Sequence, residues 1–372
     1  MLVWAIQAPT GPVDFSLAFG GILPLGFSRN FGWYARLTGP SNHPFAKAPV
    51  GCVRWRSFLR AFHTDDGQML LRNKADWRTL VWVAMAVSLV VVQFIWPETV
   101  IFLCPISCYL AVACGVISHN HNHQPTFSVK RLNNGFGHLL TIFYGYPTLM
   151  WIPTHNLNHH KFTNRPGDAT ITWRYTNLHN LWVVLTYPFV SGYFQSEPVK
   201  AYIQRAKLNN RSLYFRIMFQ YTFWAGVYAG TLWLAWYLHH EKRDWTGLYV
   251  WFFALLLPAL TSATVIMMFN YVQHVHTDAW SDHDHSRNFT SRSFNFLFFN
   301  NGYHTAHHKR PGLHWSVLRD AHEKIVGEID PVLNEPSLWW FLVRQYALAP
   351  LFPRFGTRQI GNPPNQVPEG HA

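Results

Sequence analysis

Most of the 22 histidines in this 372-residue chain fall into short clusters whose spacing suits metal ligation. The first reads His119-Asn-His121-Asn-His123. On a helix, positions four apart are offset by only about 40°, so His119 and His123 share a face and His121 points away. The second reads His155-Asn-Leu-Asn-His159-His160 and the third His304-Thr-Ala-His307-His308. Each again sets two imidazoles at i and i+4, with a third next to one of them. A further element, Asn270-Tyr-Val-Gln-His274, has the same spacing of four. There the Asn270 side-chain oxygen can face a metal or a bound water, or the residue can be an ordinary helix C-terminal cap.

Neutral imidazole is a good ligand for iron, zinc and copper, and a shared helical face lets two ring nitrogens converge on one ion without backbone strain. Nine clustered histidines exceed the needs of one metal. Two ions use them, with Asn270 or water filling a remaining position. A lone histidine is more often a satisfied polar residue, so His43, His63, His179, His239, His240 and His371 are set aside. His121, His138, His276, His283, His285, His314 and His322 are not counted as ligands either, with supporting roles left open.

The elements that must hold these clusters look membranous. Charged residues make up only 13% of the chain and hydrophobic ones 49%, against about 25% charged in a soluble domain. The 18 Trp and 16 Tyr suit the interface between lipid and water. Leu80 to Trp96 and Val100 to Ser118 carry no charge and are separated only by a short turn; Ile217 to Leu238 and Gly247 to Phe269 form a second such pair. The sequence therefore predicts an all-α integral membrane protein with four transmembrane helices in two hairpins, and a helical cap carrying the histidines. The outer loops hold only Lys242 and Arg243, leaving 28 of the 30 basic residues on the other side. That asymmetry places the N-terminus, the central segment and the C-terminus in the cytoplasm.

Tyr144 to Trp151 and Leu181 to Phe194 are apolar but short and broken by Pro147 and Pro188, which suits interfacial or re-entrant helices. Residues 1–78 read as a cytoplasmic N-terminal segment with no signal peptide, 79–360 as the catalytic domain and 361–372 as a disordered tail. Cys52, Cys104, Cys108 and Cys114 include no Cys-x-x-Cys pair, so neither a zinc ribbon nor a disulfide framework is expected.

The three boxes, His-x-x-x-His, His-x-x-x-His-His and His-x-x-His-His, with Asn-x-x-x-His before the last, resemble those of the membrane fatty acid desaturase superfamily. The resemblance runs from about Leu80 to His314. It implies four transmembrane helices and a cytoplasmic cap with two iron ions, where dioxygen and two electrons are used to oxidise a fatty acyl chain. Carried over residue by residue, the ligands are His119, His123, His155, His159, His160, His274, His304, His307 and His308, with Asn270. Desaturation is the leading reaction, and hydroxylation or 1-alkene-forming decarboxylation are its rivals. The first box departs from the usual pattern by interleaving Asn120, His121 and Asn122, which bears on reaction type. No His-Pro-Gly-Gly haem signature is present, so electrons must come from a separate ferredoxin- or cytochrome b5-like protein.

Other classes fit less well. The net charge of +12 raises nucleic acid as a partner, but no binding module accompanies it. A transporter or metal sensor would bury ionisable groups within its spans, and these spans hold no Asp, Glu, Lys or Arg. A zinc hydrolase would use four ligands and His-Glu-x-x-His, which is absent. The Glu-x-x-His pair of soluble di-iron carboxylate proteins is absent as well.

Overall fold

A computed structural model describes residues 70–366 except Arg243, together with Pro368; the remaining residues, including most of the expected N-terminal segment, Cys52 and five residues of the expected tail, lie outside the described part. The described chain is mostly helical. Helix α1 spans Trp77–Ile95, and a single 3-10 turn at Pro97–Thr99 joins it to α2, Val100–His123. The amphipathic α3, Lys130–Tyr144, follows, then two long helices, α4 (Leu181–Asn209) and α5 (Arg211–His239). Helix α6 covers Thr246–His274 and contains a π-helical turn at Phe252–Leu256. The short helices α7 (Arg292–Leu297), α8 (His304–Lys309), α9 (Leu318–Glu323) and α10 (Leu338–Val343) build the cap, together with a parallel pairing of β1 (Asn288–Phe289) and β2 (Asn334–Glu335).

Among the described residues, three helices are long and apolar enough to cross a membrane: Lys74–Ile95, Pro97–His123 and Thr246–His274. These cover three of the four expected spans. The remaining one lies within α5, which at 29 residues has the length but dilutes its aliphatic residues with Trp, Tyr and Gly. A second difference concerns Leu181 to Phe194, which is the first half of the 29-residue α4; the helix continues through Pro188 and Pro198. Tyr144 to Trp151 is not a helix of its own. It turns at Gly145, whose φ of 79° is left-handed and whose missing Cβ would stand 2.8 Å from the Ala259 carbonyl oxygen.

The core that positions the site is the pairing of α2 with α6. At Gly115 a Cβ would lie 2.8 Å from both Ser262 Oγ and Ile266 Cγ1, so the glycine lets the two backbones approach closely. Across that contact Ser262 Oγ donates to the Ala111 carbonyl at 2.7 Å. The consequence is positional: α2 ends at His123 and α6 at His274, so two ligand-bearing ends stand together.

Candidate metal centre

The histidines of the boxes and His274 converge into two groups, His119, His123, His155, His160 and His307 in one, and His159, His274, His304 and His308 in the other. The first box contributes as its spacing predicts. His119 and His123 share a group, while His121 turns away to Thr126 Oγ1 (2.9 Å) and the Asn133 carbonyl (3.1 Å), tying the end of α2 to α3. In the third box, His304 and His308 share the second group and His307 crosses to the first.

The second box differs from the expected i, i+4 pairing. Residues Ile152–His159 form a π-helix, and the His160 amide bonds to the His155 carbonyl, five residues back. The wider turn brings i and i+5 into line. His155 and His160 therefore share the first group, their Nε2 atoms 3.0 Å apart, and His159 is turned to the second. After Phe162 the left-handed Thr163 and Asn164 (φ 43° and 63°) reverse the chain. Asn164 then bolts it to α6 by donating to the His274 carbonyl at 3.0 Å.

The nitrogen spacing tests whether a metal fits. In the first group, the Nε2 atoms of His119, His307, His160 and His155 close a ring with sides of 3.0, 3.1, 3.0 and 2.9 Å, and His123 Nε2 lies 3.2 Å from His160. In the second, His159–His274, His274–His304 and His304–His308 are 3.1, 3.0 and 3.1 Å apart. For a metal–imidazole distance of about 2.1 Å, ligands at right angles stand about 3.0 Å apart and tetrahedral ones about 3.4 Å. The spacing fits two sites of high coordination number better than tetrahedral zinc.

Proton positions point independently to a bound cation. His159 Nδ1 faces the Asp168 carboxylate at 2.8 Å and must donate there, and His274 Nδ1 donates to the His285 carbonyl at 3.0 Å. Both Nε2 lone pairs then face each other at 3.1 Å, which is repulsive unless a cation lies between them.

Burial favours the neutral ligand form. Desolvation, reinforced by neighbouring imidazoles, pushes His155, His304, His307 and His308 well below the ordinary histidine range, and His160 as well. Asp168 behaves oppositely: burial works to raise it, but His159 and hydrogen bonds from Thr170 outweigh that and hold it at about 2. Its carboxylate accepts four bonds, from His159 Nδ1, the Asn164 amide, and the Thr170 amide and hydroxyl.

Asn270 is held differently from the histidines. The Tyr187 hydroxyl donates to the Thr170 carbonyl, so it must accept from Asn270 Nδ2, 2.8 Å away. That fixes the amide orientation and turns the Asn270 oxygen away from Tyr187. Asp168, Thr170, Asn164 and Tyr187 are the supporting residues that the motifs did not reveal. Only the proximity of Asp168 to the second box was a signal.

Beside the groups lies a cavity of about 400 Å³, bounded by His119, His155, His304 and Asn270 at the metal end, by α4, and by Met267 and Ile266 of α6. Trp151 lines it and stacks on His119 at 5.3 Å, and Tyr146 lines it too. Trp173, which follows the second box in sequence, does not line the cavity and donates its indole N–H to the Asn164 carbonyl at 2.8 Å.

The fatty acid desaturase family model matches residues 96–341, about two thirds of the chain, and this span contains every box and the Asn270–His274 element. The chain belongs to the fatty acid desaturase family. No curated protein and no solved structure gave a match. As a family member it is a membrane oxidoreductase acting on fatty acyl chains, with a histidine-rich metal site. For a desaturase-family site, a mostly apolar cavity ending at two histidine groups is the arrangement an acyl chain requires.

Proposed function

We propose that the chain inserts a double bond into a fatty acyl chain at a centre of two iron ions, consuming dioxygen, two electrons and two protons and releasing two waters. The observation that carries this is the cavity whose metal end is formed by ligands of both groups and whose lining, among the described residues, contains no Asp, Glu, Lys or Arg. An uncharged wall suits methylenes beside the metals better than a substrate carboxylate placed there, which supports desaturation over the decarboxylating alternative.

In this scheme His119, His123, His155, His160 and His307 hold one iron and His159, His274, His304 and His308 the other, with Asn270 offering its oxygen directly or through water. Bound iron supplies the dioxygen activation and C–H oxidation. The protein supplies the rest. Asp168 and the His285 carbonyl fix the tautomers of His159 and His274, so their Nε2 lone pairs point inward. Trp151 packs against His119 and excludes water from the metal end.

Helix α5 serves as the fourth span in this proposal. Ala235 near its end packs with Phe94, Val100 and Val250, which lie at the ends of the other spans remote from the histidines, and His239 Nε2 bonds to the Phe94 carbonyl at 3.0 Å. The cap faces the cytoplasm, where a separate ferredoxin- or cytochrome b5-like protein delivers electrons. Residues 1–78 and 361–372 flank the catalytic domain. Lipid profiling of a host expressing wild type and His307→Ala tests the reaction. New internal alkenes that vanish in the variant support desaturation. Hydroxy acids or volatile 1-alkenes would replace it with an alternative, and unchanged lipids would reject all three.

A further inference from the structure

Phe189 and Gly192 of α4 line the cavity and at the same time face outward: Phe189 is 76% exposed, and among the described residues nothing lies within 4 Å of a Cβ built on Gly192. Tyr146, which lines the same cavity, is also exposed, with its hydroxyl 2.8 Å from that of Tyr221. The cavity therefore reaches the surface at these residues. The outer face of α4 around the opening is apolar. Trp182, Phe189 and Tyr193 are 75%, 76% and 74% exposed, and Leu185 is exposed on the same side. From Leu181 to Phe194 the helix has no charge; charges resume at Glu197 and Lys200, neither of which lines the cavity. A stripe of this kind in a chain with three apolar spanning-length helices belongs in lipid, with Glu197 marking where the interface begins. Pro188, in the cavity wall, removes the hydrogen bond to the Val184 carbonyl and weakens the helix one turn from Gly192.

We infer that this opening is a lateral portal through which the acyl chain enters from the bilayer, so that the substrate is a membrane-dissolved fatty acid or glycerolipid and not a thioester of a soluble carrier. Phosphate-bearing carriers are recognised by Arg and Lys, and the rim of Tyr146, Phe189 and Gly192 offers none. The inference deepens the acyl-oxidation proposal by naming the substrate's source.

Photolabelling tests it without turnover. Purified protein in phosphatidylcholine vesicles is irradiated with a diazirine free fatty acid, a phosphatidylcholine carrying the same acyl chain, or its coenzyme A thioester with hydrolysis blocked, and the labelled peptides are mapped. Labelling of the Phe189–Ser196 segment by the free acid or the phospholipid is expected, and which of the two labels identifies the source. Gly192→Trp, placed in open space, should abolish that labelling and the oxidation of vesicle lipid while iron content and thermal melting stay unchanged. Labelling by the thioester alone, or labelling and activity unaffected by Gly192→Trp, overturns the portal. Should the labelling appear as expected while the wild type oxidises no acyl chain, the portal stands and the proposed reaction falls.

Discussion

Asp168→Asn isolates the contribution of a residue outside the boxes. The carboxylate is almost wholly buried and accepts through both oxygens: Oδ1 takes the Thr170 amide and hydroxyl, each at 2.7 Å, and Oδ2 takes His159 Nδ1 and the Asn164 amide, each at 2.8 Å. An asparagine that keeps the Thr170 pair must turn its NH2 toward His159 and Asn164, donor against donor. His159 relieves the clash by moving its proton to Nε2, which withdraws the lone pair aimed at His274 and His304. The second group then drops from four histidine ligands to three, and a negative charge near the metal is lost. Loss of such an outer partner typically costs 10- to 100-fold in metal affinity, or about 1.4–2.7 kcal/mol. Metal analysis after gel filtration should show iron falling from about two per chain toward one, with the first group still loaded. Asp168→Glu and a thermal melt separate this effect from misfolding. Two irons retained per chain, with an unchanged Mössbauer spectrum, would refute the reasoning.

The division of the second box predicts that His155→Ala and His160→Ala deplete the same iron and leave the same residual Mössbauer signal, whereas His159→Ala leaves the complementary one. For pH, the buried histidines are depressed in the fold relative to about 6.5 unfolded, so the unfolded chain binds more protons below that value. Their contribution to stability and metal retention is therefore fully present above about pH 6.5 and is lost as pH falls below it, which iron analysis after dialysis at pH 5, 6, 7 and 8 would show. Gly115→Leu should force α2 and α6 apart at a cost of about 1–3 kcal/mol, read as a lower melting temperature. Tyr187→Phe removes the acceptor that orients Asn270 and should lower turnover with iron content unchanged, whereas Tyr187→Leu, which also leaves a void in the hydrophobic core, should lower melting temperature as well.

Much of this protein was legible from residue spacing. His119 with His123, and His304 with His308, pair as a 3.6-residue turn requires, and His121 points away for the same reason. The apolar runs around Leu80, Val100 and Gly247 became spanning-length helices because twenty uncharged residues have few alternatives. Leu181 to Phe194 was less legible, since a proline usually ends a helix, yet α4 runs through Pro188, which stands in the cavity wall.

What the sequence by itself determined is that nine histidines stand in short motifs, three of them at the ends of apolar helices, and supply a metal centre's worth of ligands. Which histidine belongs to which group was decided by the tertiary structure. The π-turn at His155–His160 shifts the register by one residue, and no local pattern encodes that shift. The same holds for Asp168, Tyr187 and the His285 carbonyl, whose roles arise from contacts to residues up to 83 positions away. Helical periodicity is local and can be counted along the chain, whereas the tautomer of a histidine and the wall of a cavity depend on what packing brings beside them.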